Sequence, residues 1–142
     1  PYYTRMPGVS GYQPALTVLT TIVSRPALDR AILDSGRKSI TGEMHAPLVK
    51  QFPDAKVIAH NSEHITLELG PNSRNLRIGD QIELIVGYAD YTVQLYNEFL
   101  VFRGDRLDAI WPIDAATRSA KTEPMIQPMM TPPPPAAPSE TV

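Results

Sequence analysis

The sequence predicts an all-β fold, a small antiparallel β-barrel or sandwich-like domain over residues 1–119, followed by a disordered Pro-rich C-terminal tail over residues 120–142. Three observations carry that expectation. From Gln81 to Ile113 apolar residues alternate with polar ones, the period of two that half-buried strands show. Turn signals recur at short intervals, Gly79-Asp80 and Arg103-Gly104-Asp105 among them. After Ala120 the composition changes, and Pro124, Pro128, Pro132 to Pro135 and Pro138 leave too few backbone donors and too little apolar area for a packed element.

Taken in order, Pro1 to Pro14 mixes Tyr, Gly and Pro without a period and reads as irregular chain entering the domain. Leu16 to Ser24 is rich in β-branched residues and holds no breaker, which suits a buried strand closed by Arg25-Pro26. Ala31 to Leu33 is a second short strand ended by the turn Asp34-Ser35-Gly36, and the two are expected to pair antiparallel. Thr41 to Pro53 reads as loop with at most a helical turn. Lys56 to His60 and Ile65 to Leu69 are short strands flanking Asn61-Ser62-Glu63-His64. Gly70 to Asn75 is a polar turn, and Leu76 to Asp80 leads into the central stretch. There, Gly87 to Val93 is expected as a strand, so that Tyr88 and Asp90 share one face while Ala89 and Tyr91 take the other. Phe99 to Phe102 and Leu107 to Trp111 form the last hairpin, with Trp111 expected in the core because aromatics bury large apolar area.

A chain of 142 residues allows one domain that buries about two-thirds of its unfolded surface without a disulfide or structural metal. The net charge of -2, with thirteen scattered Lys and Arg residues, argues against a nucleic-acid surface. The absence of cysteine excludes thiolate catalysis and Cys-based zinc sites. The opening PYYTRMPGVSGYQP has no charged segment followed by a long apolar run, so neither a signal peptide nor a membrane span is expected, and a cytoplasmic location follows. Because the first residue is Pro1 rather than Met, the chain reads as a fragment or partial gene.

The order of elements resembles a known family. LRIGDQIELIVGYADYTVQLYNEFLVFRGDRLDAIWPI is similar to the C-terminal β domain of the D-threonine aldolase and D-serine dehydratase family, pyridoxal-phosphate enzymes of the alanine-racemase fold type. ALTVLTTIVSRP resembles the family's Val-x-Ser-Arg-Pro strand, RAILDSGRKSI its Asp-Ala-Gly-x-Lys segment, and Asn61-Ser62-Glu63-His64 falls where members have Ser-Glu-Glu-His. The likeness runs from about residue 15 to residue 118.

The resemblance implies a lyase acting on D-3-hydroxy amino acids, with pyridoxal phosphate held by an N-terminal barrel domain that this chain lacks. The family's Schiff-base lysine lies near the start of that barrel, so Lys38 is expected to be a solvated or ion-paired lysine at a strand end, and the chain alone to be inactive. Glu63 and His64 are the implied catalytic pair, relaying a proton or orienting the surroundings of the cofactor. Metal-activated members hold a divalent ion (manganese, zinc or magnesium) through a histidine and a cysteine or aspartate two residues apart. Here the matching positions are Tyr88 and Asp90. Tyrosine is a departure, since a phenol must lose its proton to ligate well whereas neutral imidazole is ready at pH 7. A second departure falls at Ala116 and Thr117, where members have Arg-Gly; Arg118 lies one register later. The implied partners are the barrel domain, a small D-amino acid and a second copy in a homodimer. The alternative is a β-barrel interaction module that derives from the family and has lost catalysis.

Overall fold

The computed structural model describes residues 10, 11 and 13–114, in which eight strands and one short helix follow one another. They are β1 (Thr17–Ala27), β2 (Arg30–Leu33), β3 (Leu48–Val49), β4 (Lys56–His60), β5 (Ile65–Glu68), β6 (Gln81–Ile85), α1 (Ala89–Val93), β7 (Glu98–Arg103) and β8 (Arg106–Pro112). β1 to β6 form one antiparallel sheet in the order β3-β6-β1-β2-β5-β4, and the two edge strands β3 and β4 approach each other, so the sheet nearly closes into a barrel. β7 and β8 make a separate two-stranded sheet.

The barrel follows from alternation. In β1, Val18, Thr20 and Ile22 point inward and Leu19 and Val23 outward, the period of two expected of a strand with one buried face. Ala31 and Leu33 of β2, Ile65 and Leu67 of β5 and Ile82 and Leu84 of β6 complete the interior with Ile40, Val49, Leu69 and Val86. Ile22, Leu33, Ile65, Leu67, Ile82 and Leu84 are essentially excluded from solvent, each such side chain contributing about 1.5–3 kcal/mol by leaving water. Thr20 is the inward polar exception, and its hydroxyl donates to Asp34 at 2.7 Å while the Thr21 N–H donates to the same oxygen at 2.8 Å. Burial opposes ionisation of Asp34, but these hydrogen bonds outweigh it and hold the carboxyl below its usual range.

Several expectations are corrected here. β1 does not stop at Arg25-Pro26 but runs to Ala27, past register shifts between Ile22 and Ser24 and between Ser24 and Ala27 that accommodate a proline without a lost ladder bond. Arg25 spans the bulged end, donating to the carbonyls of Arg30 at 2.9 Å, Leu28 at 2.7 Å, and Leu76 across the turn. The loop Thr41 to Pro53 contains β3, which pairs Leu48 with Ile85 and Val49 with Leu84 and so covers an edge of β6. Gly87 to Val93 is not a strand; from Ala89 onward it is α1. Trp111 is not core but 57% exposed, because neither β7 nor β8 reaches the barrel. The expected tail, the 119/120 boundary and the region of Arg118 lie outside the described residues. No helix among the described residues is long and apolar enough to cross a membrane.

Candidate functional site

The segment that follows β2 acts as a platform for both candidate site elements. At Gly36 the chain passes so close to the turn after β4 that a Cβ would lie 2.4 Å from the Glu63 carbonyl carbon and 2.5 Å from the His64 nitrogen, so only glycine fits. The Arg37 N–H donates to the Asn61 carbonyl at 2.9 Å and the Lys38 N–H to the Ser62 carbonyl at 3.1 Å, while the Asn61 N–H closes the turn on the His64 carbonyl at 2.9 Å. This fixes the backbone under Glu63 and His64, whose side chains face solvent. Lys38 pairs with Glu63, both well exposed, and the hydrogen bond and charge of Glu63 raise the pKa of Lys38. Lys38 is therefore the ion-paired lysine that the sequence suggested.

The other side of the platform carries the Tyr88 and Asp90 loop. Gly87 lies against the His45 carbonyl, where a Cβ would come within 1.9 Å of its oxygen. That contact ends β6 and turns the chain. Tyr88 then sits in extended conformation as the N-cap of α1, and Asp90 falls in the first helical turn, where its charge suits the helix N-terminus. Thr92 is fully buried; its hydroxyl donates to the Tyr88 carbonyl at 3.2 Å and accepts from the Thr41 N–H at 3.2 Å, stitching α1 to the platform. The Tyr96 hydroxyl adds a 2.8 Å bond to the Ser39 carbonyl, and burial raises the pKa of that phenol. Tyr88 is half-buried and meets the Tyr91 ring edge-on at 5.2 Å.

The strand geometry that would have aimed Tyr88 and Asp90 at one point is therefore absent. Tyr88 is extended while Asp90 lies in the helix, so the strand period of two does not relate their side chains. Among the described residues no three His, Cys, Asp or Glu side chains gather as a metal-holding cluster.

Next to the platform lies a hollow of about 380 Å³ lined by Arg37, Thr41, Gly42, Glu43, Ala46 and His60. Gly42 leaves room for the His60 ring, since a Cβ there would lie 2.5 Å from Nδ1. The His60 Nε2 is buried without a hydrogen-bond partner, and burial, aided by the Arg37 charge, lowers the pKa of the imidazole. Sequence reading passed over the residues that build this end of the barrel. The signal for Gly36 and Gly87 was glycine itself at strand exits; Thr92 and Tyr96 left none, because their roles depend on contacts with residues more than fifty positions away.

Comparison with known proteins places this arrangement. The family described as "Putative serine dehydratase domain" matches residues 15–102. The chain is 33% identical over 108 residues to a D-threonine aldolase from an Arthrobacter species, covering 76% of this chain and 28% of that protein. It is 26% identical over 104 residues to a 3-hydroxy-D-aspartate aldolase from Paracoccus denitrificans, covering 73% of this chain and 26% of the relative. The crystal structure of D-threonine aldolase from Filomicrobium marinum superposes with a TM-score of 0.74 at 24% identity, over 81% of this chain and 32% of that one. A metal-free variant of D-threo-3-hydroxyaspartate dehydratase gives a TM-score of 0.57 at 18% identity, over 69% of this chain and 31% of that one. This chain thus spans less than a third of the relatives it matches. It belongs to the serine dehydratase domain family, as a β domain of the D-threonine aldolase and D-serine dehydratase type.

Proposed function

We propose that this domain is the β cover of a pyridoxal-phosphate-dependent lyase acting on D-3-hydroxy amino acids, with the cofactor held by a companion domain in the cytoplasm. The observation that carries this reading is convergence: the platform over residues 36–41 holds the Glu63-His64 turn on one side and the Tyr88-Asp90 loop on the other, so the family-like segments meet at one end of the barrel. The chain is suited to covering a cofactor rather than holding one. Lys38, the lysine on the platform, is committed to Glu63 and open to solvent. When bound, the cofactor supplies the electron sink for cleavage next to an amino-acid α-carbon.

What this chain's residues contribute is proton handling and orientation. His64 offers an imidazole, a side chain suited to passing a proton, and Glu63, held by Lys38, places a carboxylate on the same turn. Asp90 contributes one carboxylate at the neighbouring loop. Because a phenol must lose its proton to ligate well, manganese, zinc or magnesium is expected to bind this chain alone only weakly, and a tight site would need ligands from the companion domain.

The test is steady-state cleavage of D-threonine and D-3-hydroxyaspartate by the polypeptide that carries both domains. His64→Asn and Glu63→Gln are expected to lower kcat by about 10² or more, the usual worth of a positioned proton-transfer group. Unchanged kcat in both variants contradicts the assignment. The interaction-module reading draws on Tyr88 in the family's histidine position, and a folded two-domain protein with no turnover of either substrate would favour it.

A further inference from the structure

We propose that the β7–β8 hairpin is the arm by which this domain docks onto its companion domain, an inference that rests on the two-domain reading above. The hairpin is apolar on both faces. Leu100 pairs with Ile110 and Phe102 with Leu107 on one face, and Phe99 pairs with Trp111 and Val101 with Ala109 on the other. Leu100, Phe102, Ile110 and Trp111 are 54%, 58%, 52% and 57% exposed, and neither strand touches a strand of the barrel. An isolated two-stranded hairpin is marginal in water, and this one leaves Leu100, Phe102, Leu107 and Ile110 open on one face and Trp111 on the other, with Phe99 and Val101 half-buried. It is built to be gripped.

The polar tip limits the contact. Arg103 and Arg106 both reach Asp108, at 3.2 and 3.1 Å, so the apolar strip gives way to a charged rim, the usual anatomy of a recognition surface. The occupant this favours is an apolar cleft of the companion domain with polar edges. β1 begins at Thr17, directly opposite Ile85 at the end of β6, and Ile85 leads through Gly87 and α1 to the hairpin. Chain entering the barrel and the hairpin leaving it therefore share one end, and more than two-thirds of each relative's length lies beyond what this chain spans. Docking there also fixes α1, which carries Asp90 immediately before β7.

Because the chain contains no cysteine, thiol labelling can be placed at will. Leu100→Cys and Phe102→Cys probe the hairpin, and Leu19→Cys, on the 62% exposed outer face of β1, is the control. In the two-domain polypeptide, the labelling rate at 100 and 102 is expected to fall by about tenfold or more relative to the isolated chain, while position 19 is unchanged. Equal rates in both forms overturn the proposal. Slowing in the isolated chain that grows with concentration assigns the hairpin to a second copy instead, and slow labelling there at every concentration assigns it to this chain's own residues; either overturns it. Turnover separates this from the function: a shielded hairpin without lyase activity removes the lyase reading alone, and activity with an unshielded hairpin removes the docking alone.

Discussion

The barrel and the hairpin are written in the same alternating pattern, yet one is a closed core and the other an uncovered ribbon. β1 sorts Val18, Thr20 and Ile22 inward among the core side chains of the other barrel strands, whereas β7 sorts Leu100 and Phe102 to a face that no strand of the barrel covers. Alternation states that a segment is pleated with two different faces; it does not state what covers them. The barrel is the self-sufficient part. The hairpin's stability belongs to an interface.

The sharpest contrast comes from truncating one large side chain in each region. Ile22→Ala, in the centre of the barrel, is expected to destabilise the isolated chain by about 2–5 kcal/mol in urea denaturation. Gly87→Ala should follow at about 1–3 kcal/mol, because the new methyl meets the His45 carbonyl and β6 must shift, and it should also displace the Asp90 loop. Thr92→Val keeps the shape but leaves the Thr41 N–H unpaired in the interior, at a cost of about 1–3 kcal/mol with α1 loosened from the platform. Trp111→Ala, despite being the largest truncation, should lie within about 0.5 kcal/mol in the isolated chain. A large loss there would place the hairpin against the barrel.

Acid should act on the barrel in two stages. The lowered pKa of His60 means the unfolded chain binds a proton more readily, so stability present above 6.5 is lost as pH falls through the lower folded value. Asp34 adds a second loss, of stability present above 3.8 and lost as pH falls through its depressed folded value. Thermal melts from pH 8 downward check both stages, and His60→Gln should remove the first while leaving the second.

Much of this was legible in the residues. The strands around Asn61-Ser62-Glu63-His64, the antiparallel pairing of β1 with β2, the Gly79 and Gly104 turns and the pairing of β7 with β8 follow from local pattern and turn chemistry, which depend on neighbours in sequence. β3 escaped because two residues carry no period. α1 was read as strand because Tyr, Thr and Val favour extended backbone, and what bends them is Gly87 pressed on a distant carbonyl and Thr92 bonded to Thr41, neither visible locally. Trp111 was placed in the core by its size, but the strand that carries it meets only β7 and no strand of the barrel. The family resemblance singled out Glu63, His64, Tyr88 and Asp90 as candidates but carried nothing of the Gly36 and Thr92 contacts that fix the two segments bearing them.

Amide hydrogen exchange on the isolated chain tests the division between the two regions most directly. The account predicts that Ile22, Leu33, Leu67 and Leu84 in the barrel exchange only through global unfolding, while Leu100, Phe102 and Ile110 exchange through local opening that costs far less. Hairpin amides as slow as those of the barrel would contradict it, because the ribbon would then be held by the same cooperative core.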